Sequence, residues 1–246
     1  VDIEAFYALF WGKFPEERIL SHDHIEGLIG NAGYFSGTAM FEGLPKNLIS
    51  FEKRGHRWLR GDIQQLPFLP GFPFAEKLRL ISCMLGGFEK PAAMVLLFAV
   101  LSREIHPIVF IVLAFGKGLL PLIAALKNRE TEEARLIFSE AVFSFAVLPY
   151  TAMMANDAIM RSLYRLFISK KKLLEWTTAK DSEKTLSAVS YYREMWPNLL
   201  MAVICLFTVP ILAPIFAFAP LLGYFSAKER KEKESNDEAA LSGRKL

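Results

Sequence analysis

From Met195 to Ala227 the chain carries no charged residue, an unbroken run of 33. A helix needs only about 20 apolar residues to cross a bilayer core. The run therefore exceeds one crossing. Pro107 to Leu126 carries a single charge, Lys117, and Ala141 to Asn156 carries none. Apolar residues make up 52% of the chain and the mean hydropathy is +0.26. A soluble domain would have to bury all three stretches with little polar shell left to cover them. The pattern predicts a membrane protein.

Three regions follow. Residues 1–82 read as α/β or helical material outside the bilayer, residues 83–227 as transmembrane and interfacial helices, and residues 228–246 as a charged, disordered tail. Within the apolar region, 84–102 and 106–126 are expected to span. The Pro-rich run 197–226 is expected to form two short tilted spans. Between Arg161 and Lys184 there are seven Lys or Arg against three acidic residues. Such a loop prefers the cytoplasm and suits anionic lipid. For the loop to stay inside, 136–157 must dip into the interface rather than cross, with Glu140 and Asp157 shielded. Cys83 and Cys205 have neither the number nor the spacing of a disulfide framework or a zinc site. The opening "VDIEAFYALF" reads as the middle of a domain, with no signal peptide before it.

Chemistry gathers in the first region. "FEKRGHRWLRGDIQ", residues 51–64, surrounds Trp58 with charged side chains and two potential general bases, His56 and Asp62. Arg54, Arg57 and Trp58 stand at i, i+3 and i+4, so a helix bounded by Pro45 and Pro67 would present them together. Two guanidiniums and an indole suit an anionic or glycosidic ligand. An interfacial basic helix with a belt tryptophan fits the spacing too. The stretch is too short for a nucleic-acid track. "SHDHIEG" gathers His22, Asp23, His24 and Glu26. As a strand it would set both histidines on one face, suiting a metal or an exposed carboxylate base, and a plain polar turn also accounts for it. No DxD pair, GxxxxGK[ST] loop or GxGxxG fingerprint is present.

"FPEERILSHDHIEG", "RGHRWLRGDIQ" and "LPYTAMMANDAIMRSLYRLFISKKKLLEWTTAKDSE" resemble the glycosyltransferase region of bacterial cyclic β-1,2-glucan synthases, over most of the chain. The resemblance implies an α/β, GT-A-like fragment followed by an α-helical transmembrane region. It also implies inverting, processive transfer of glucose from UDP-glucose to a growing glucan at the bacterial inner membrane, with the catalytic half cytoplasmic. Processive relatives such as cellulose synthase carry a carboxylate base that matches Asp23, and a QxxRW motif at the acceptor and diphosphate. That motif reads here as Arg54-Gly55-His56-Arg57-Trp58, with Arg replacing the leading Gln. His22, His24, Glu26, His56 and Asp62 would support the site.

In those relatives Mg2+ or Mn2+ is held by aspartate motifs that would lie before residue 1. The implied partners are UDP-glucose, the glucan chain, membrane lipid, the nucleotide-binding half and hydrolase- and phosphorylase-like regions. The isolated chain is expected to be inactive. From the residues themselves, a transporter or scaffold stays open as a rival, because Lys117, Glu140 and Asn156 sit in or near apolar stretches, and so does a synthase of another polysaccharide, because nothing in the residue chemistry fixes the linkage.

Overall fold

The computed structural model describes residues 3–12, 18–20, 23–30, 33, 37, 45–175 and 187–243. Among these there is no β-strand. The α/β, GT-A-like expectation is therefore wrong for this chain. "SHDHIEG" explains why at one position: Asp23–Ile29 is a helix, α2. Asp23 and Glu26 fall in its first turn, where carboxylates complement the helix dipole. Ile25, Leu28 and Ile29 then recur at helical spacing and meet the apolar core. A two-residue period was never required.

The chain divides into two compact units. The first comprises Val1–Pro45, Ser50–Phe88 and Met154–Ser182; the second comprises Lys46–Ile49, Glu89–Met153 and Glu183–Leu246. The first holds α1 (Ile3–Phe10), α2, most of α3 (Leu48–Gln64), a 3-10 turn (Leu66–Gly71) and α4 (Phe74–Gly86). It also takes the last turns of α7 (Thr131–Leu163) and the π-helical turn Tyr164–Ser169 that continues it. Its core is Ile25, Ile63, Leu80, Met84 and Ile159, one or two residues from each of α2, α3, α4 and α7. Gly87 lies close against α3. A Cβ there would stand 2.1 Å from Leu59 Cδ1, so a side chain at this position would require the Leu59 side chain to shift.

The second unit holds α5 (Glu89–Leu101), α6 (Pro107–Lys127), the first part of α7, α8 (Ala188–Glu194), α9 (Trp196–Thr208) and α10 (Ala213–Gly243). Leu97, Phe110, Leu148, Met201, Cys205 and Phe216 form its core. The Phe145 ring lies 5.9 Å from Phe110 and 5.2 Å from Phe216, within the range of favourable tilted aromatic pairs.

Pro107–Lys127, Thr131–Ser169 and Pro210–Lys228 are long and apolar enough to cross a membrane. At 21 residues, α6 is about 31 Å long, the thickness of the hydrocarbon core. Pro107 opens it at the position where a missing N–H costs nothing, and His106 Nδ1 accepts from the Ile108 N–H at 3.3 Å. Ile108, Leu113, Leu120 and Ile123 point outward on it, the dress of a lipid-facing helix. Lys117 pairs with Glu89 of α5. The stretch 136–157 belongs to α7, within the second of these long apolar segments. The run 197–226 is divided at Val209 and the turn Pro210–Leu212 into the 13-residue α9 and the start of α10. α10 continues to Gly243, through the charged stretch where the sequence suggested no fold.

Candidate functional site

Helix α3 forms between Pro45 and Pro67, as its sequence suggested. It carries two polar stripes at i, i+4 spacing. Glu52, His56, Arg60 and Gln64 make the inner one; Arg60 is 5% exposed and Gln64 1%. Arg54, Trp58 and Asp62 make the outer one. Each stripe lies along one face of the helix.

The inner stripe is bonded to the end of α7 and the turn after it. His56 Nε2 and Asp157 Oδ2 are 2.7 Å apart. Arg161 grips the same carboxylate with two bonds, Nε to Oδ2 at 3.0 Å and a guanidinium NH2 to Oδ1 at 2.7 Å. Arg60 donates to the carbonyls of Glu175 and Leu173 at 2.8 and 3.1 Å. Gln64 donates to the Leu173 carbonyl at 2.9 Å and accepts from the Leu20 N–H at 2.8 Å. Arg165 donates to the Lys172 carbonyl and to a Glu175 carboxylate oxygen. Lys170 and Lys172 both have positive φ, 52° and 58°. A non-glycine residue there costs about 1–2 kcal/mol, and the captured carbonyls hold the turn in place. Burial pushes the His56 imidazole below its ordinary value, against the opposing pull of Asp157.

On the outer stripe the Arg54 guanidinium carbon lies 4.4 Å from the centre of the Trp58 ring. Such a stack is worth about 0.5–1 kcal/mol at an exposed site. The indole is 43% exposed. Asp62 follows one turn on, about 6 Å along the axis. His24 Nδ1 donates to Asp62 Oδ1 at 3.2 Å. Burial pushes the Asp62 carboxyl up; the His24 contact opposes that shift, and the charge of Asp23 adds to it.

Asp62 thus links the two motifs found in the sequence. Asp23 and His24, at the start of α2, meet the end of the stripe that bears Arg54 and Trp58. Asp23 is exposed, while Glu26 and Arg57 are half-buried. His22 lies outside the described residues. Among the described residues no group of three or more His, Cys, Asp or Glu converges to hold a metal ion. What the outer stripe offers is the Asp62 carboxylate, bonded to His24, one turn along from an exposed indole with a guanidinium over one face.

Arg60, Gln64, Arg161 and Glu175 were not foreseen from the sequence as members of this network, and Asp157 was foreseen only as a carboxylate that must be shielded. Asp157 and Arg161 stand four apart, which signals a helical ion pair. Their partner His56 is 101 residues away, and no local pattern announces it.

No family model and no solved structure matches the chain. Among curated proteins it is a distant homologue of bacterial enzymes of glucan synthesis. It is 27% identical to the cyclic beta-(1,2)-glucan synthase NdvB of Rhizobium meliloti, over 99% of this chain and 10% of that protein. It is 31% identical to the glucans biosynthesis glucosyltransferase H of two Caulobacter vibrioides strains, over 37% of this chain and 15% of theirs. The chain thus spans a small part of the relatives it matches. With its long apolar helices, it carries the features of a membrane-associated protein.

Proposed function

We propose that this chain is the acceptor-side and membrane-embedded part of an inverting, processive glucosyltransferase that extends a β-1,2-glucan from UDP-glucose. The reading places it at the bacterial inner membrane, with the first unit on the cytoplasmic side. One observation carries it: His24, next to Asp23 at the start of α2, is bonded to Asp62 on the stripe bearing Arg54 and Trp58. The similarity of nearly the whole chain to a glucan synthase supports it.

In this reading Trp58 supports the terminal glucose of the acceptor on its open face. Asp23 accepts the proton of the attacking hydroxyl as oxygen bonds to the anomeric carbon of the donor. The bond from that carbon to the diphosphate breaks with inversion. Arg57 offsets the charge that gathers on the leaving UDP, a fork better suited to phosphate than an ammonium would be. Asp62 and His24 hold the base in line. Mg2+ or Mn2+, if the complete enzyme uses one, would be held by residues beyond this chain.

Asp23→Asn in the complete protein tests the assignment. Glucose transfer should fall by about 10²–10⁴-fold, the usual contribution of a positioned base, while UDP-glucose still binds. Transfer within about tenfold of the parent would remove Asp23 from the role of base.

A further inference from the structure

The first unit contains a second cationic place, on the inner side of α3 and away from the Arg54–Trp58 stripe. A pocket of about 170 Å³ opens there between the 18–20 segment, the 3-10 turn and the π-helical turn. Pro67, Phe68, Leu166 and Leu173 make its apolar wall, and Arg18 and Lys170 supply its charge. Gln64 also lines it, with its amide already used on Leu20 and Leu173.

Nearby carboxylates are committed elsewhere. Asp157 is shared by His56 and Arg161, and Glu175 by Arg165 and Lys172. Among the described residues no carboxylate lines the pocket. Arg60 lies behind the Leu173 wall, bonded to its carbonyl, with its ionisation disfavoured first by burial and then by the charges of Arg165 and Arg161, and with Glu175 and Asp157 opposing.

Position adds a second constraint. Leu166 and Lys170 stand at the end of the apolar segment Thr131–Ser169. On the same turn Phe167 is 61% exposed and Ile168 70%. Aromatic and aliphatic side chains pointing outward, followed by Lys170, Lys171 and Lys172, fit the boundary between acyl chains and headgroups. A free anion would use the two cations and leave the apolar wall idle. An anionic amphiphile uses both.

We propose that this pocket is a binding site for the headgroup of an anionic phospholipid, with its phosphate between Arg18 and Lys170 and its glycerol and first methylenes against Phe68, Leu166 and Leu173. The left-handed backbone at Lys170, closed by the bond from its N–H to the Arg165 carbonyl at 2.9 Å, presents the lysine to the pocket. The site is separate from the transferase reading and stands whether or not that reading holds.

Native mass spectrometry of the detergent-solubilised chain, titrated with phosphatidylglycerol or with phosphatidylcholine, measures the site directly. A cation near anionic lipid contributes about fivefold in affinity. Lys170→Ala and Arg18→Ala should each weaken phosphatidylglycerol binding by about that factor. Lys171→Ala removes the same charge one residue away and should change it by less than about twofold. Leu166→Trp keeps both cations and fills the cavity; it should displace the lipid while helical content, read by circular dichroism, is retained. Inorganic phosphate should compete only weakly. Equal losses for Lys170→Ala and Lys171→Ala, no effect of Leu166→Trp, or phosphate binding as strong as the lipid would each overturn the site.

Discussion

Asn198 completes the backbone around Tyr150. Its Oδ1 accepts the Tyr150 N–H at 3.0 Å and its Nδ2 donates to the Ala146 carbonyl at 2.6 Å, both buried. Those two groups are the pair that an unbroken helix bonds to each other. Pro149 lies inside that turn of α7, with no N–H to give and a ring that crowds the carbonyl four residues back. The amide of α9 serves both ends of the disturbed turn.

Asn198→Leu should therefore destabilise the second unit by about 2–4 kcal/mol, the penalty for stranding two buried backbone groups. Adding Pro149→Ala should return part of the loss, because α7 can then close its own bonds. A double-mutant cycle read by thermal unfolding in detergent checks this. Strict additivity of the two changes would show that Asn198 and Pro149 act independently.

Asp62 has its ionised form disfavoured in the folded chain, chiefly by burial. Its folded value lies above the unfolded 3.8, so the native state is favoured below that range and gives up stability as pH rises through the folded value. Asp62→Asn should thus raise thermal stability at neutral pH and change it little at pH well below 3.8, while lowering transfer in the complete enzyme. A variant less stable than the parent at neutral pH would contradict this account.

His56 behaves in the opposite sense. Burial lowers its folded value below 6.5, so its neutral form is the favoured one and stability is complete above that pH. As pH falls below 6.5 the unfolded chain protonates first, and the first unit loses stability. Arg60 and Arg161 deepen the loss and Asp157 resists it. In His56→Gln the acid-side drop in melting temperature should be smaller than in the parent.

Trp58→Ala in the complete enzyme should reduce elongation by about three- to tenfold, the worth of one ring contact, and leave donor hydrolysis nearly unchanged. Arg57→Lys should depress both, since an ammonium lacks the guanidinium fork. Radiolabelled glucose incorporation against UDP release separates the two. Equal mild losses in both activities for both variants would count against the site drawn on α3.

The helices that face lipid were legible because charge is absent over long stretches, and α6 needed no more than that. Helix α3 was legible from its flanking prolines and the Arg54, Arg57, Trp58 spacing. Its buried side was not, because Glu52, His56, Arg60 and Gln64 carry no apolar signal. His56, Arg60 and Gln64 are held by bonds to residues more than 100 positions away, which local periodicity does not encode. "SHDHIEG" misled for a different reason. A short polar stretch has no period of its own, and Ile25, Leu28 and Ile29 just beyond Asp23 decided it as helix. Asn198, between a proline and two leucines, reads only as a helix start, and its use by Tyr150 depends on the proline of another helix.

The pairing of Lys117 with Glu89 bears on how the protein is made. Lys117 lies ten residues into α6, about 15 Å from its start and near the middle of the span. Alone at that depth a lysine opposes insertion by about 2.5–3.5 kcal/mol. Glu89 precedes it in the chain on α5, and the short link between Leu101 and Pro107 folds the two helices back on each other so that the charges meet. A translocon receiving α6 by itself would meet an unmatched lysine; receiving α5 and α6 as a hairpin, it meets that lysine already paired with Glu89. For a chain that inserts α6 into a bilayer, entry of α5 and α6 as a hairpin would bring Lys117 in with its partner, and a nascent chain ending before Lys117 would leave Glu89 without one.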